Sequence, residues 1–443
     1  MDYPIWDLTF GGGVLIGVVA TLHVFVSHFA IGGGLAIAVI ETLSVKRNDA
    51  ALRELARRSS LMLILVSTVL GAISGVGIWV TIGLVQPAAT SMLIHTFVWG
   101  WAIEWAFFLL EVVTALAYYA TWDKVSKETH LVLIWLYAFA AFMSLVVIQG
   151  ILAFMLTPGR WLVTRTFADG FFNPTTLPGL VFRSGICLLL AGSYLAFAAL
   201  REKAPGTRAR LVRLLAGLGA TGALVAYAGY RLWERALPGD VRDLFLGAKP
   251  ILASLAATRH LILWGLAAAL LLALVSLALP RLASVGLAVL ALLAAFVSFG
   301  GYERLREGAR KPFVVSGYMF SNGILVSEVP ELNRKGILSK AVWAAHDAGP
   351  TPLSKGRAVF RAECASCHTL GGYLSIRKAT AAMDLDLTRT FLSRRRKDGE
   401  APPGTGTQGY RMMPPFVGND EELDALAHYL VSLKNPEEVS RAR

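Results

Sequence analysis

The residues best suited to chemistry lie late in the chain, in Cys364-Ala365-Ser366-Cys367-His368. Two thiols at this spacing, followed directly by a histidine, can form thioethers with the two vinyl groups of a haem while the imidazole takes an axial position on iron. A zinc site would need a second pair of ligands, and the one other cysteine, Cys187, lies in an apolar stretch where a thiol packs as a small hydrophobe. Downstream, Tyr410-Arg411-Met412-Met413-Pro414-Pro415-Phe416 precedes a helical pattern running from Glu421 to Leu433. A second set of candidates sits in apolar surroundings. His23 falls about ten residues, roughly 15 Å, into the first hydrophobic run. Glu104 and Glu111 are seven residues apart in another, two helical turns with little angular offset, so both carboxylates face one way. An ionisable group in lipid costs about 2.5–3.5 kcal/mol on insertion scales, so each is a functional candidate by default.

The elements that position these residues follow from composition. The chain has 443 residues, is 55% apolar and has a mean hydropathy of +0.57, well above soluble proteins. Runs of about 20 apolar residues, enough to span a bilayer, occur near 14–43, 61–85, 94–121, 131–157, 177–200, 211–230, 255–279 and 282–301. The formal charge of +12 does not mark a nucleic-acid partner, because Lys and Arg sit in short clusters between these runs. Thirteen of them, including Lys46, Arg47, Lys124, Arg208 and Arg281, fall in loops on one side. Six, Arg160, Arg165, Arg231, Arg235, Arg242 and Lys249, fall on the other. The positive-inside rule then puts both termini outside, as an even helix count requires. Attachment of haem c on the outer side of a membrane gives the same orientation. Met1-Asp2-Tyr3-Pro4 lacks the basic start of a cleavable signal peptide, so the first span is expected to direct insertion.

The expected fold is all-α: a polytopic bundle of about eight transmembrane helices plus a small α-helical cytochrome c domain. The expected divisions are a haem-binding bundle over 1–311, a connecting segment over 312–348, and the cytochrome domain over 349–443, entered through Pro350-Thr351-Pro352. Arg394 to Lys397 read as a solvated basic face.

The C-terminal segment resembles a class I cytochrome c. In that family the methionine directly before the proline turn is the sixth iron ligand, which implies Met413, with Met412 as the alternative, and a His/Met pair gives a high potential. The apolar part resembles subunit I of the cytochrome bd quinol oxidases over roughly residues 10–315. Thr21-Leu22-His23 through Gly32-Gly33-Gly34 is similar to that family's first helix, whose histidine is axial to a catalytic haem. Ile103-Glu104 to Glu111, with Trp122-Asp123-Lys124, is similar to its third helix, whose glutamates serve haem ligation and proton delivery. Arg306-Glu307-Gly308-Ala309-Arg310-Lys311-Pro312-Phe313 is similar to its Glu-x-Gly-Arg-Gln-Pro-Trp stretch. That match implies Glu307 as a haem ligand, with Glu303 the weaker candidate. Arg259 matches a family arginine.

The resemblance implies a membrane oxidoreductase with haem c and with haem b, haem d or both in the bundle. It implies reduction of oxygen, an outer-side redox protein, a second membrane subunit or larger respiratory complex, and quinol as a possible partner. The place would be the cell inner (cytoplasmic) membrane, with the cytochrome domain on the periplasmic side. Departures matter as much. The family's low-spin b haem is held by a histidine at the start of helix five and a methionine in helix seven. Residues 173–186 contain no histidine, and helix seven reads Thr258-Arg259-His260-Leu261. The quinol-contacting loop is shortened to about 231–254. His260, His95 and His28 remain open as ligands, although His28 projects about 140° from His23 on the same helix. His130 reads as a loop residue. The competing reading is a quinol-to-cytochrome c conduit without oxidase activity.

Overall fold

A computed structural model of the chain describes residues 5–245, 253–400 and 413–434. Among them, eight helices are long and apolar enough to cross a membrane. They are α1 (Gly12–Arg47), α2 (Ala50–Val85), α3 (Val98–Ala120), α4 (Lys127–Leu156), α5 (Thr176–Ala199), α6 (Pro205–Ala236), α7 (Ala253–Ala278) and α8 (Val285–Arg310). Local signals set their starts. The Asp49 carboxylate accepts from the backbone N–H groups of Ala51 and Leu52, Ser126 Oγ accepts from Thr129 N, and Pro205 opens α6 where no N–H is needed. Helix α2 widens into a π-helical stretch over Leu65–Gly71, which resets the faces presented by the residues after it.

Two boundaries differ from the hydropathy reading. Helix α8 continues past residue 301, where the apolar run ends, to Arg310, so Glu303, Arg306 and Glu307 lie on the helix. Helix α6 runs on to Ala236. His130, expected in a loop, is instead buried near the start of α4. Lys249 and residues 246–252 of the shortened loop lie outside the described residues.

The chain divides into two compact units. One comprises Thr21–Val76 and Phe97–Ala309, the other Met1–Ala20, Gly77–Thr96 and Arg310–Arg443. Small residues draw the helices of the first unit together. A Cβ at Gly185 of α5 would collide with the backbone of Ala226 on α6, one at Gly222 with that of Leu189, and one at Gly229 with that of Phe182. Helices α5 and α6 therefore meet backbone to backbone over several turns, the close approach that glycine permits in membrane bundles. Gly34 of α1 leaves the space that the Tyr137 ring fills.

In the second unit, β1 (Phe313–Val315) pairs antiparallel with β2 (Met319–Phe320). Three helices follow, α9 (Pro352–Glu363), α10 (Leu385–Glu400) and α11 (Asp420–Ser432). Gly356 of α9 lies against the Ala425 backbone of α11, and the rings of Phe360 and Tyr429 meet at 5.7 Å. Phe320, Val329, Leu332 and Ile337 share one core with Val359, Phe360, Leu426 and Leu430. The Glu422 carboxylate caps Ile337 N and Leu338 N at 2.7 and 3.0 Å, fastening residues 312–348 to the C-terminal helices. Arg394 and Lys397 are exposed on α10. Arg396 pairs with Asp420 at 2.6 Å, and Arg395 lies over the Phe391 ring.

Candidate haem sites

Helix α9 ends at Cys364, and a single turn brings Cys367 N to the Cys364 carbonyl at 3.0 Å and His368 N to the same oxygen at 2.8 Å. Both thiols are free and half-buried. His368 Nδ1 donates to the Leu374 carbonyl at 2.8 Å. A carbonyl only accepts, so the proton is on Nδ1 and Nε2 keeps its lone pair, the form a proximal haem ligand needs. Met413 is half-buried at the head of Pro414-Pro415-Phe416-Val417. That loop is held where Val417 N donates to both oxygens of Glu363, at 3.1 and 3.2 Å, and Gly418 N donates to Asn333 Oδ1. Burial pushes the Glu363 carboxyl well above the ordinary carboxylate range, and Glu422 adds to the rise. Met412 lies outside the described residues. Within the same unit, Gly11 (φ +102°) lies beside Thr369 and Tyr373.

In the bundle, His23 shows the same logic. Ser74 Oγ donates to the Leu70 carbonyl at 2.5 Å, so its oxygen is left to accept from His23 Nδ1 at 3.1 Å, and Nε2 is again the bare nitrogen. Glu104 accepts from Ser144 Oγ at 3.0 Å, and Glu111 accepts from the Tyr137 hydroxyl at 3.1 Å. Glu307 pairs with Arg306 at 2.7 Å, and its side chain is 37% exposed. Each candidate thus has its own polar partner. Arg259 pairs with Glu234 at 2.7 Å. His260 faces outward from α7, and His95 bonds the Ser91 carbonyl of its own helix.

Two clusters escaped the sequence reading. Arg183 of α5, 1% exposed, pairs with Glu303, and Arg306 donates to the other Glu303 oxygen at 2.9 Å. His28 turns away from His23 and meets Arg183 through Nε2 at 3.2 Å. At the basic end of the bundle, Glu41 of α1 accepts from the Tyr118 hydroxyl at 2.5 Å and contacts His130 Nδ1 at 2.6 Å, all three side chains being buried. The sequence carried a weak signal for both, since each contains a charged residue inside an apolar run, but Glu41 lies 77 and 89 positions from Tyr118 and His130, and Arg183 lies 120 and 155 from Glu303 and His28.

Eight spanning helices and a cytochrome-like turn define a multi-pass membrane haem protein. Residues 14–232 match the family of cytochrome bd terminal oxidase subunit I, and residues 353–434 match cytochrome c. The chain is thus a cytochrome bd oxidase subunit I-like membrane protein with a C-terminal cytochrome c domain, built for haem electron transfer. Among solved structures it resembles the bd oxidase of Geobacillus thermodenitrificans, with a TM-score of 0.61 and 17% identity over 70% of this chain and 88% of that one. That likeness speaks to the fold. No curated protein matches the chain.

Proposed function

We propose that this protein passes electrons between an outer-side redox protein and a haem in its bundle by way of haem c, and that the bundle haem reduces oxygen. The carrying observation is Arg183. On helix five, where the bd family's low-spin haem takes its histidine, this chain buries an arginine clamped to Glu303 and packs α5 against α6 through glycines. A guanidinium stays protonated and has no lone pair to offer iron, so this position cannot ligate a haem, which supports a route that bypasses the low-spin haem.

Cys364 and Cys367 would anchor haem c, with His368 and Met413 axial. His23 and Glu307 would hold a bundle haem of b or d type. When bound, those groups supply the redox chemistry. The protein's part is to orient and to move protons: Ser74 fixes the His23 tautomer, while Glu111 and Glu104, each with a hydroxyl partner, hold protons that oxygen reduction consumes. Exposed Arg394 and Lys397 suit an acidic donor, with an attraction that salt screens over a Debye length of about 10 Å at 0.1 M. The apolar outer faces of α2 and α3, with Ile73, Val76, Trp99, Trp105 and Leu109 exposed, suit lipid or a second membrane subunit. The location proposed is the inner membrane, with the cytochrome domain outside and Lys46 and Arg47 inside.

Oxygen uptake and carbon monoxide binding by the reduced, purified protein test this reading. Uptake with a carbon monoxide-sensitive bundle haem is the expected result. A reduced bundle haem inert to both gases would replace it with a quinol-to-cytochrome c conduit.

A further inference from the structure

Helices α3 and α4 run antiparallel and meet in three polar rungs. Glu104 bonds Ser144, Glu111 bonds Tyr137, and Tyr118 meets His130 with ring centroids 4.3 Å apart. On each helix the rungs recur every seven residues, a rise of about 10 Å with nearly the same bearing, so they form one polar stripe through an apolar interface. The third rung, at the basic end, is joined by Glu41 of α1 and is the most deeply buried, with Tyr118, Glu41 and His130 at 1%, 4% and 4% exposure.

Its hydrogen bonds fix the protons. His130 Nε2 lies 3.0 Å from the Tyr118 carbonyl, which can only accept, so Nε2 carries hydrogen. The Tyr118 hydroxyl donates to Glu41 Oε2. The 2.6 Å contact between His130 Nδ1 and Glu41 Oε1 then needs a proton of its own. It belongs either to a carboxylic acid facing a neutral imidazole or to an imidazolium facing a carboxylate. Either way the pair is neutral overall and holds one proton that can change owner over a short bond.

We propose that Glu41, His130 and Tyr118 form a proton-holding station at the basic end of the bundle that supplies Glu111 and, beyond it, Glu104. This rests on the reading of those two glutamates as proton carriers. The step is balanced. The pair gives up its shared proton through intervening water to the Glu111 carboxylate, breaking one O–H or N–H bond and making one. It is then recharged by a proton from the aqueous phase on the basic side, and no electron moves. The charged groups around the station are Arg53 and Arg57, whose guanidinium groups lie 5.4 and 5.9 Å from the Trp122 ring centre, and Asp123, which pairs with both. Trp122 itself packs on His130 at 4.3 Å. These groups place an ionic surface beside the station while the indole separates it from the arginines.

A purely structural clasp between α1, α3 and α4 is the competing account, and Glu41→Gln separates the two. A glutamine still accepts from Tyr118 and can donate its amide N–H to a neutral His130 Nδ1, so a clasp would survive, but the shared proton is gone. The measurement is proton uptake on reduction of the bundle haem, read with a pH-indicator dye in unbuffered detergent solution, with haem content and thermal melting recorded alongside. The expected result is uptake slowed at least tenfold in Glu41→Gln, partly restored in Glu41→Asp, with haem content and melting unchanged. Wild-type uptake rates in Glu41→Gln would overturn the station. Glu111→Gln is the separate control on the underlying reading: slow uptake in Glu41→Gln with wild-type uptake in Glu111→Gln would refute the role of Glu111 while sustaining the station.

Discussion

The buried ion cluster around Arg183 makes a quantitative test of how this bundle is held. Two cations, Arg183 and Arg306, face two carboxylates, Glu303 and Glu307, so the cluster is neutral. Glu303→Gln leaves two cations with one carboxylate, and Arg183, 1% exposed, keeps only neutral partners in His28, Phe299 and Tyr302. Removing one partner of a buried pair costs about 3–5 kcal/mol. Arg183→Leu is milder, because Glu303 retains two hydrogen bonds from Arg306, at 2.9 and 3.2 Å. Its loss is that of one charged hydrogen bond, about 1–3 kcal/mol. The double variant removes one charge of each sign and leaves Arg306 with Glu307. It should therefore be more stable than Glu303→Gln alone, by about 1–2 kcal/mol, a non-additivity expected of residues in direct contact. Unfolding in mixed micelles of dodecyl maltoside and SDS would rank the three variants. A Glu303→Gln protein no less stable than Arg183→Leu, or a double variant whose loss is the simple sum, would refute the charge accounting.

Further consequences concern the haem ligands and the loop that presents one of them. Met413→Ala should abolish the weak near-infrared charge-transfer band of Met–iron coordination, whereas loss of that band in Met412→Ala instead would move the ligand by one residue. His23→Ala should remove the bundle haem, measured as a pyridine haemochrome, and leave haem c in place. Ser74→Ala should weaken bundle-haem retention about 10–100-fold by freeing the His23 tautomer. The Glu363 carboxyl is raised in the folded domain by burial, so its contribution to stability is full at acid pH, below its unfolded value, and is lost as pH rises through the folded one. Glu363→Gln, which still accepts from Val417 N, should melt like wild type at acid pH and above it at alkaline pH. Parallel melting curves across pH would remove Glu363 from the account.

What the sequence disclosed follows the physics of each feature. The eight spans were legible because lipid demands uninterrupted apolar helix, and the haem c turn because two thioethers and an axial nitrogen must come from adjacent residues. The end of α8 was misplaced because hydropathy sees the charges of Glu303, Arg306 and Glu307 but not that they neutralise one another and Arg183. His130 passed for a loop residue for a similar reason. A histidine three positions into a helix after a polar turn gives no local sign of a partner 89 residues away. Ser74 and Ser144, which turn two candidate groups into oriented ones, carry no signal that distinguishes them from other serines in apolar helices. Residue types were thus readable, and their pairings across helices were not.

Haem c as the bundle's point of electron exchange can be checked by a stopped-flow comparison of wild type with the Cys364→Ala, Cys367→Ala variant. Both proteins are mixed with a reduced small cytochrome and, separately, with a quinol analogue while bundle-haem reduction is followed. The expected result is rapid reduction by the cytochrome in wild type, reduction at background rate in the variant, and no compensating route from quinol. Reduction of the bundle haem by quinol in the variant at the wild-type rate would contradict it.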